Sequence, residues 1–348
     1  MSDPITEGPV LVTGISGFIA LHCSLELLKK GYGVRGTLRS PDREKSIRKT
    51  LGNHADIERR LTFVTADLTN DAGWSEAVQG CEYVLHVASP LPRHPPKHHD
   101  ELVIPAREGA LRVLKAAGDA GAKRVVMTSS VAAVAFGTPY MPGKVYDEHD
   151  WSNPENVPAY EKSKTLAERA AWDYVDNLPG HSKLEFVTIN PGLVLGPILD
   201  DDYGTSNEVI RKLMLRDLPG VPNIGFMAVD VRDVATAHLL AMTTPAAAGK
   251  RFCCVAEFVW MAEVARILDE ELRTRGYKIP LMKLPDFVVK LSAIFDKTTR
   301  LIVDFLGERR EISNALIKDV LGWQPRGLHE MVIATAESLI KQGVVPQR

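Results

Sequence analysis

Short apolar runs rich in β-branched residues punctuate the first half of the chain, at Val10 to Thr13, Val34 to Leu38, Leu61 to Thr65, Tyr83 to Val87, Arg124 to Thr128 and Phe186 to Ile189. Several are apolar at successive positions instead of alternating with polar ones, as parallel strands are when helices cover both faces of their sheet. A stretch with helical spacing follows each run. The first places Phe18, Ile19, Leu21, Leu25 and Leu28 on apolar positions and stops at Gly31, a residue suited to the left-handed turn that ends a helix. A longer one runs from about Glu101 to Ala120, before Gly121. Strand and helix in alternation predict a doubly wound α/β fold on a parallel sheet.

Beyond Pro191 the alternation fades. Proline, glycine and aspartate gather between Gly196 and Gly204, which marks a lobe boundary. Helical patterns around Asn207 to Arg216 and from Met261 onward predict a smaller, mostly helical C-terminal lobe over the carboxyl edge of the sheet, where open α/β sheets take their ligands. Phe226 to Val229 and Arg251 to Val255 have strand character, so the chain is expected to return to the first domain at about 225–256. The expected division is residues 1–190 plus that return for the sheet domain, and residues 191–224 and 257–348 for the substrate lobe.

Composition narrows the partners. The 348 residues are 45% hydrophobic and 25% charged, an ordinary globular balance, and the formal net charge of -2 offers no basic face for nucleic acid or an anionic membrane. Met1 to Pro9 carries Asp3 and Glu7 and lacks the basic-then-apolar pattern of a secretory signal. The apolar stretch Val125 to Gly137 is shorter than a membrane span and is interrupted by Thr128, Ser129 and Ser130. A soluble, cytoplasmic protein is expected, as monomer or homodimer. Cys23, Cys81, Cys253 and Cys254 fit neither a disulfide framework nor paired metal knuckles, and Cys253 and Cys254 should point to opposite faces of one strand as buried thiols. The run His94 to Asp100 has no fixed tetrahedral spacing, so no metal is expected there; a mobile flap beside the fourth strand is the expectation. Glu308 to Glu311 reads as a solvated face.

Directly after the first strand comes Thr13-Gly14-Ile15-Ser16-Gly17-Phe18-Ile19-Ala20, a glycine turn that opens a helix. Such a turn lets the backbone approach a pyrophosphate whose charge then sits against the helix N-terminus. In this context it predicts a Rossmann-type dinucleotide site, with Ala20 as a variant third small residue. The second strand ends Val34-Arg35-Gly36-Thr37-Leu38-Arg39, where an enzyme using NAD would present a carboxylate to the ribose. Arg39 instead suits a 2′-phosphate, so NADP(H) is the expected cofactor. Arg43 and Lys45 follow closely and add positive charge; the plain alternative for both is a solvated helix start.

The fifth strand ends in Thr128-Ser129-Ser130, and about thirty residues later comes Tyr160-Glu161-Lys162-Ser163-Lys164. Pro158 suits the first turn of a helix, so the spacing puts Tyr160 and Lys164 on one helical face. Reducing a carbonyl creates an alkoxide that a positioned acid must protonate. A phenol can do this if a neighbouring ammonium eases its ionisation while a serine hydroxyl holds the carbonyl oxygen. Tyr160, Lys164 and Ser130 fit those roles.

Taken together, these residues resemble the extended short-chain dehydrogenase/reductase family. The resemblance covers essentially the whole chain: Gly14-x-x-Gly17-Phe18-Ile19-Ala20, Asp67-Leu68, His86-Val87-Ala88, Thr128-Ser129-Ser130, Tyr160-x-x-x-Lys164, Pro191-Gly192 through Gly196-Pro197, Val229 to Ala235 and Leu321-Gly322-Trp323. Within the family, Val34 to Arg39 and Ser163 to Glu168 are most similar to dihydroflavonol 4-reductase-like and aldehyde (carbonyl) reductases. The resemblance implies that Asp67 and Leu68 flank adenine and Ala88 lies along the diphosphate and ribose. It also implies that Pro191 to Val194 hold the carboxamide and Lys164 bonds the nicotinamide ribose. Ala106 stands where many extended members carry an asparagine of their proton relay, and a water is expected in its place. Ala135 stands where plant flavonoid reductases carry a substrate-binding asparagine, which argues for other carbonyl substrates. Ser89, Val131, Ala135, Phe136 and Phe226 are the candidate pocket residues, with Val134 and Met141 nearby.

Other functions share this scaffold. A nucleotide-sugar epimerase or hydroxysteroid dehydrogenase would keep Tyr160 and Lys164, but both normally favour NAD, against Arg39. A non-catalytic NADP sensor would have little reason to keep Ser130, Tyr160 and Lys164 together.

Overall fold

In the computed structural model, which describes residues 8–90, 98–179, 184–294, 300 and 302–348, the expected strands assemble into one parallel sheet. Numbered along the chain, its members are β1 (Val10–Val12), β2 (Val34–Leu38), β3 (Leu61–Thr65), β4 (Tyr83–His86), β5 (Arg124–Thr128), β7 (Glu185–Pro191) and β10 (Lys250–Cys254). They hydrogen bond in the order β10-β7-β5-β4-β1-β2-β3. The remaining strands are β6 (Val145–Tyr146), β8 (Leu193–Leu195), β9 (Gly225–Asp230), β11 (Glu257–Trp260) and β12 (Glu311–Ile312).

The continuous apolar runs follow from cover on both faces. Val10, Val12 and Val126 enter one cluster, which includes Leu21, Leu25 and Leu28 of α1 (Phe18–Lys29) and Val234 and Ala241 of α7 (Val231–Thr243). Leu11, Val125 and Met127, their neighbours in sequence, enter a second cluster with Val113 and Leu114 of α4 (Asp100–Asp119) and Ala171 of α5 (Ala159–Asp176). Alternate side chains leave opposite faces of a strand, so neither face has a polar position to spare. Cys253 and Cys254 follow the same rule, one in the small cluster with Ala135 and Met227, the other in the α1 cluster. All four thiols are free and buried. The α1 helix ends as its sequence foretells, with Gly31 at φ 90.

The stretch expected to return to the sheet divides. Lys250–Cys254 does return, pairing in parallel with β7 from Lys250 opposite Val187 to Cys254 opposite Pro191. Gly225–Asp230 does not; it pairs with β8 in parallel and with β11 antiparallel, in a separate three-stranded sheet. The reason is edge availability. Once β10 occupies the outer edge of β7, β9 has no free ladder there, while β8 offers one where the chain leaves the main sheet. Gly192 permits that departure, since a Cβ on it would stand 2.1 Å from the Met227 carbonyl oxygen.

The second sheet packs with α6 (Glu208–Leu215), α8 (Met261–Leu272) and the C-terminal helix Leu328–Lys341 around Leu195, Ile210, Leu213, Val264, Leu268, Met331 and Leu339. Polar ties close it against the first domain. The Trp323 indole N–H donates to the Asp233 carbonyl at 2.9 Å, and the backbone N–H of Arg326 donates to the Asp233 carboxylate at 2.7 Å. Among the described residues, no helix is long and apolar enough to cross a membrane, and no group of three or more metal-ligating side chains converges. Most of the His94 to Asp100 run, expected as a flap, lies outside the described residues.

Candidate active site

The glycine turn lies between the carboxyl ends of β1 and β4. Gly14 takes φ 62, and a Cβ on it would stand 2.9 Å from the Ala88 Cβ, so the two loops touch here. Thr13 fixes their spacing: its hydroxyl bonds His86 Nδ1 at 3.0 Å and accepts the Ala88 N–H at 3.0 Å. Gly17 caps α1 without a side-chain hydrogen bond, and Ser16, Phe18 and Ile19 are half-buried around it. The first-turn N–H groups of α1 therefore face an opening with no acceptor from a capping side chain, which suits an anion. Phe18 stacks edge-on against His22 at 5.7 Å.

In and after β2 the four basic residues have different fates. Arg35 points away, its Nη1 donating to the carbonyls of Glu76, Ala77 and Gln79 at 2.6 to 3.2 Å. Arg39 is exposed and makes no hydrogen bond or ion pair among the described residues. Arg43 pairs with Asp200 at 3.3 Å across the cleft, and Lys45 is exposed at the start of α2 (Glu44–Gly52). Gly36, between Arg35 and Arg39, lies under Ile15, whose Cδ1 would be 2.5 Å from a Cβ there. Asp67 accepts from the Thr69 backbone at 2.8 Å and the Thr69 hydroxyl at 2.7 Å, which holds its carboxyl below the usual range. Leu68 packs against Gly109 of α4.

The Ser130 hydroxyl lies close enough to the Tyr160 phenol to ease its ionisation. Tyr160 is 38% exposed, with its hydroxyl set among protein atoms. Burial pushes its pKa up, Ser130 opposes this and the nearby Glu161 carboxylate adds to it, so the phenol holds its proton at neutral pH. Lys164, one helical turn on, is 9% exposed and makes no hydrogen bond among the described residues. Burial lowers its pKa to about 8, against the raising influence of Glu168. Its side chain lines a cavity of about 20 Å³ with His86, Ala88, Ser89, Ala106 and Thr128. A water needs roughly 10 to 15 Å³ of such space and several polar partners. The cavity is therefore the right size for one water, beside Ala106.

Of the residues expected to bind the nicotinamide end, Pro191 and Val194 are buried at the junction of β7 and β8. The candidate pocket residues do not form one group. Val131 and Phe136 are half-buried in the small cluster near Ser130, and Phe136 stacks edge-on against Phe305 at 5.5 Å. Ala135 is fully buried within that cluster, and its carbonyl accepts from Arg310 at 2.9 Å. Phe226 packs instead with the helical-lobe cluster, while Met141 is 58% exposed.

A glycine turn at the switch point, a free arginine past β2 and a serine-tyrosine-lysine set past β5 agree with the protein-family match, which is to the model described as NAD dependent epimerase/dehydratase family, over residues 10–254. The chain belongs to that family. Within it, the chain is an extended short-chain dehydrogenase/reductase of the reductase branch. Cinnamoyl-CoA reductase CAD2 of Medicago truncatula is 40% identical over 277 residues, 78% of this chain and 82% of that protein. An anthocyanidin reductase of Vitis vinifera is 30% identical over 295 residues, 80% of this chain and 84% of its own. Among solved structures, yeast methylglyoxal/isovaleraldehyde reductase Gre2 complexed with NADPH matches with TM-score 0.80 at 28% identity, covering 97% of this chain and 99% of its own.

Sequence reasoning does not find all the polar residues around this reductase-branch site. Asn190 and Arg251 lie in apolar strands with no motif around them, and Glu168 is visible only as the residue four after Lys164. Of the buried histidines around the site, His86 stands in the His86-Val87-Ala88 motif, while His22 and His238 carry no such signal. Burial lowers His86 to about 3 and His22 and His238 to about 4, so all three are neutral in the fold, with His238 bonded to the Thr128 hydroxyl at 2.6 Å. An unfolded histidine titrates near pH 6.5, so below that the unfolded chain binds more protons and stability falls with pH. Each should cost about 1.4 kcal/mol at pH 5.5, roughly 4 kcal/mol for the three. Carboxyls raised by burial, such as Glu148, Asp200 and Asp233, oppose part of this loss. Urea unfolding at pH 7.5 and 5.5 should show a net loss that shrinks by about 1.4 kcal/mol in His238→Gln. A loss untouched by that substitution would mean His238 is not a buried neutral base.

Proposed function

We propose that this chain reduces aldehydes and ketones to alcohols with NADPH, using Tyr160 as the acid that protonates the nascent alkoxide. The observation that carries the proposal is the closeness of the Ser130 hydroxyl to the Tyr160 phenol, with Lys164 one turn along the helix and the open N-terminus of α1 nearby. The residues present fit the cofactor. The Gly14 and Ala88 loops touch, the first turn of α1 lacks a side-chain acceptor, and Arg39 and Lys164 have unused donors. Gly14, Ser16, Gly17, Phe18 and Ile19 would hold the diphosphate, with Arg39 and Lys45 toward the 2′-phosphate. Asp67 and Leu68 would flank adenine, Ala88 would face the adjoining ribose, and Pro191 to Val194 would hold the carboxamide. NADPH supplies the hydride when bound. Ser130 and Tyr160 hold the substrate oxygen between two hydroxyls. The phenol is protonated, as an acid must be before it acts, and the Lys164 charge favours the phenolate left behind. The fully buried Ala135 leaves Val131, Phe136 and Phe305 as the apolar surroundings on the serine side, so recognition is mainly by area. The rest of the apolar wall would come from the 191–224 and 257–348 lobe, to which Phe305 already belongs.

Three outcomes test this. Tyr160→Phe should bind NADPH as before but lose roughly a hundredfold or more in kcat for carbonyl reduction, the scale of a lost general acid. Turnover near wild type would remove Tyr160 from the chemistry.

Arg39→Ala should weaken NADPH binding by roughly tenfold to a hundredfold, leave NADH binding nearly unchanged and leave the melting temperature where it was, since Arg39 supports nothing else. Equal weakening of both cofactors would sink the phosphate role.

Small and medium apolar aldehydes and ketones, aryl ones included, should be reduced with higher kcat/KM than a dihydroflavonol, whose hydroxyls would lose water without gaining partners. A panel followed by NADPH oxidation decides the matter; a clear advantage for the dihydroflavonol would reverse the assignment.

A further inference from the structure

Glu168 is fully buried, yet it is the most heavily bonded side chain near the site. Its Oε2 accepts from the Ser129 hydroxyl at 2.5 Å and from Asn190 Nδ2 at 2.7 Å. Its Oε1 accepts from Arg251 Nε at 2.6 Å, the Thr188 hydroxyl at 3.1 Å and the Trp172 indole at 3.4 Å. The donors come from α5 itself and from β5, β7 and β10. Asn190 passes the contact on, because the same Nδ2 donates to the Ser130 carbonyl at 3.2 Å. Arg251 is held in turn by the carbonyls of Glu148 and Asp150 at 2.6 and 2.9 Å and lies 3.6 Å from the Trp151 ring centre.

A buried ion pair of this kind is poor value as a stabiliser, since desolvation consumes most of its attraction. Its placement points elsewhere. Glu168 stands one turn beyond Lys164 on α5, and its bonds reach Ser129 directly and Ser130 through Asn190, just past the end of β5. We propose that Glu168 is a positioning residue for proton transfer: through Ser129 and Asn190 it fixes the Ser130 backbone, and with it the Ser130 hydroxyl, against Tyr160. The proposal rests on the roles given above to Ser130, Tyr160 and Lys164. Lys164 is faced by Tyr160 and Glu168 from its own helix, by His86 from β4, by Thr128 and Ser129 from β5 and by Ala106 and Ala110 from α4. His86 is neutral, so Glu168 is the one carboxylate acting on the ammonium among the described residues.

The sign of the pH effect follows. Carbonyl reduction loses its charged lysine as pH rises through the Lys164 pKa, which gives an alkaline limb near pH 8. Without the Glu168 charge that limb moves to lower pH. The test compares Glu168→Gln, the double variant Glu168→Gln/Arg251→Gln and Asn190→Ala with the wild type and Tyr160→Phe. Melting by circular dichroism, NADPH binding by nicotinamide fluorescence and kcat from pH 6 to 10 are measured on each. A folded Glu168→Gln enzyme should bind NADPH within about threefold of wild type, lose about tenfold or more in kcat, and show its alkaline limb about one pH unit lower. If the lone buried Arg251 prevents folding, the double variant removes both charges and should give the same kinetic signature. If neither folds, Asn190→Ala cuts only the arm to Ser130, and should lower kcat about tenfold with NADPH binding kept. A folded variant with wild-type kcat and an unmoved limb overturns the role. Inactive Tyr160→Phe beside normal Glu168 and Asn190 variants would defeat only this proposal, whereas an active Tyr160→Phe would defeat the tyrosine mechanism itself.

Discussion

The chain leaves β1 toward one face of the sheet and leaves β4 toward the other, and the crevice opened at that point is where the ligand site must lie. The packing makes the divergence concrete: α1 belongs to one apolar cluster and α4 to the other. A crevice between diverging strands tends to gape, and Thr13 prevents it by bonding His86 on the neighbouring strand and the Ala88 N–H beyond it. The approach is so close that only glycine fits at position 14, with Ala88 filling the space a side chain would need. A neutral His86 is part of the same constraint. A charged imidazole there would face the Lys164 ammonium, and burial removes that possibility.

The opposite wall is polar, and it is built differently. Ser130 comes from the loop after β5, and Tyr160 and Lys164 from α5, which packs on α4 through Ala171. Their support is the buried carboxylate of Glu168, which gathers donors from β5, β7 and β10 into one node. The network is not fully satisfied: Asn190 Oδ1 and Arg251 Nη2 are buried without partners. Unpaired buried polar atoms cost stability. Retaining them beside a site where two hydroxyls must be held in line is consistent with order being worth more there than stability.

The parallel sheet was legible because burial on both faces leaves an uninterrupted apolar signature, as in Val125, Val126 and Met127, and because Gly31 ends α1 as its type suggests. The fate of Phe226 to Val229 was not legible. A short apolar strand carries no mark of which edge it will join, and here the edge of β7 was taken by residues further along the chain. The placing of Tyr160 and Lys164 one turn apart on α5 could be read from their spacing, since helix geometry converts four residues into one face. Glu168, Asn190 and Arg251 could not, because a buried network joins residues by tertiary contact and leaves no period in the sequence. Ala135 shows the same limit. Its matching a substrate-binding asparagine of flavonoid reductases placed it among the pocket candidates, and the turn after Ser130 carries it into an apolar cluster.

Strand geometry also explains why one arginine of β2 is available to a ligand and the other is not. Arg35 lies within the strand, and its side chain leaves toward the end of α3 (Trp74–Val78), where carbonyls left unpaired by a short helix accept from its Nη1. Arg39 lies just past the carboxyl end, where the ladder with β3 has stopped and no carbonyl is within reach. Its charge is felt by Asp67 but neutralised by nothing. A guanidinium left in that state at the ribose end of a dinucleotide crevice attracts an added phosphate and gives a bare ribose little. The family's name refers to NAD, and the proposed 2′-phosphate contact of Arg39 is what would turn that preference toward the phosphorylated cofactor.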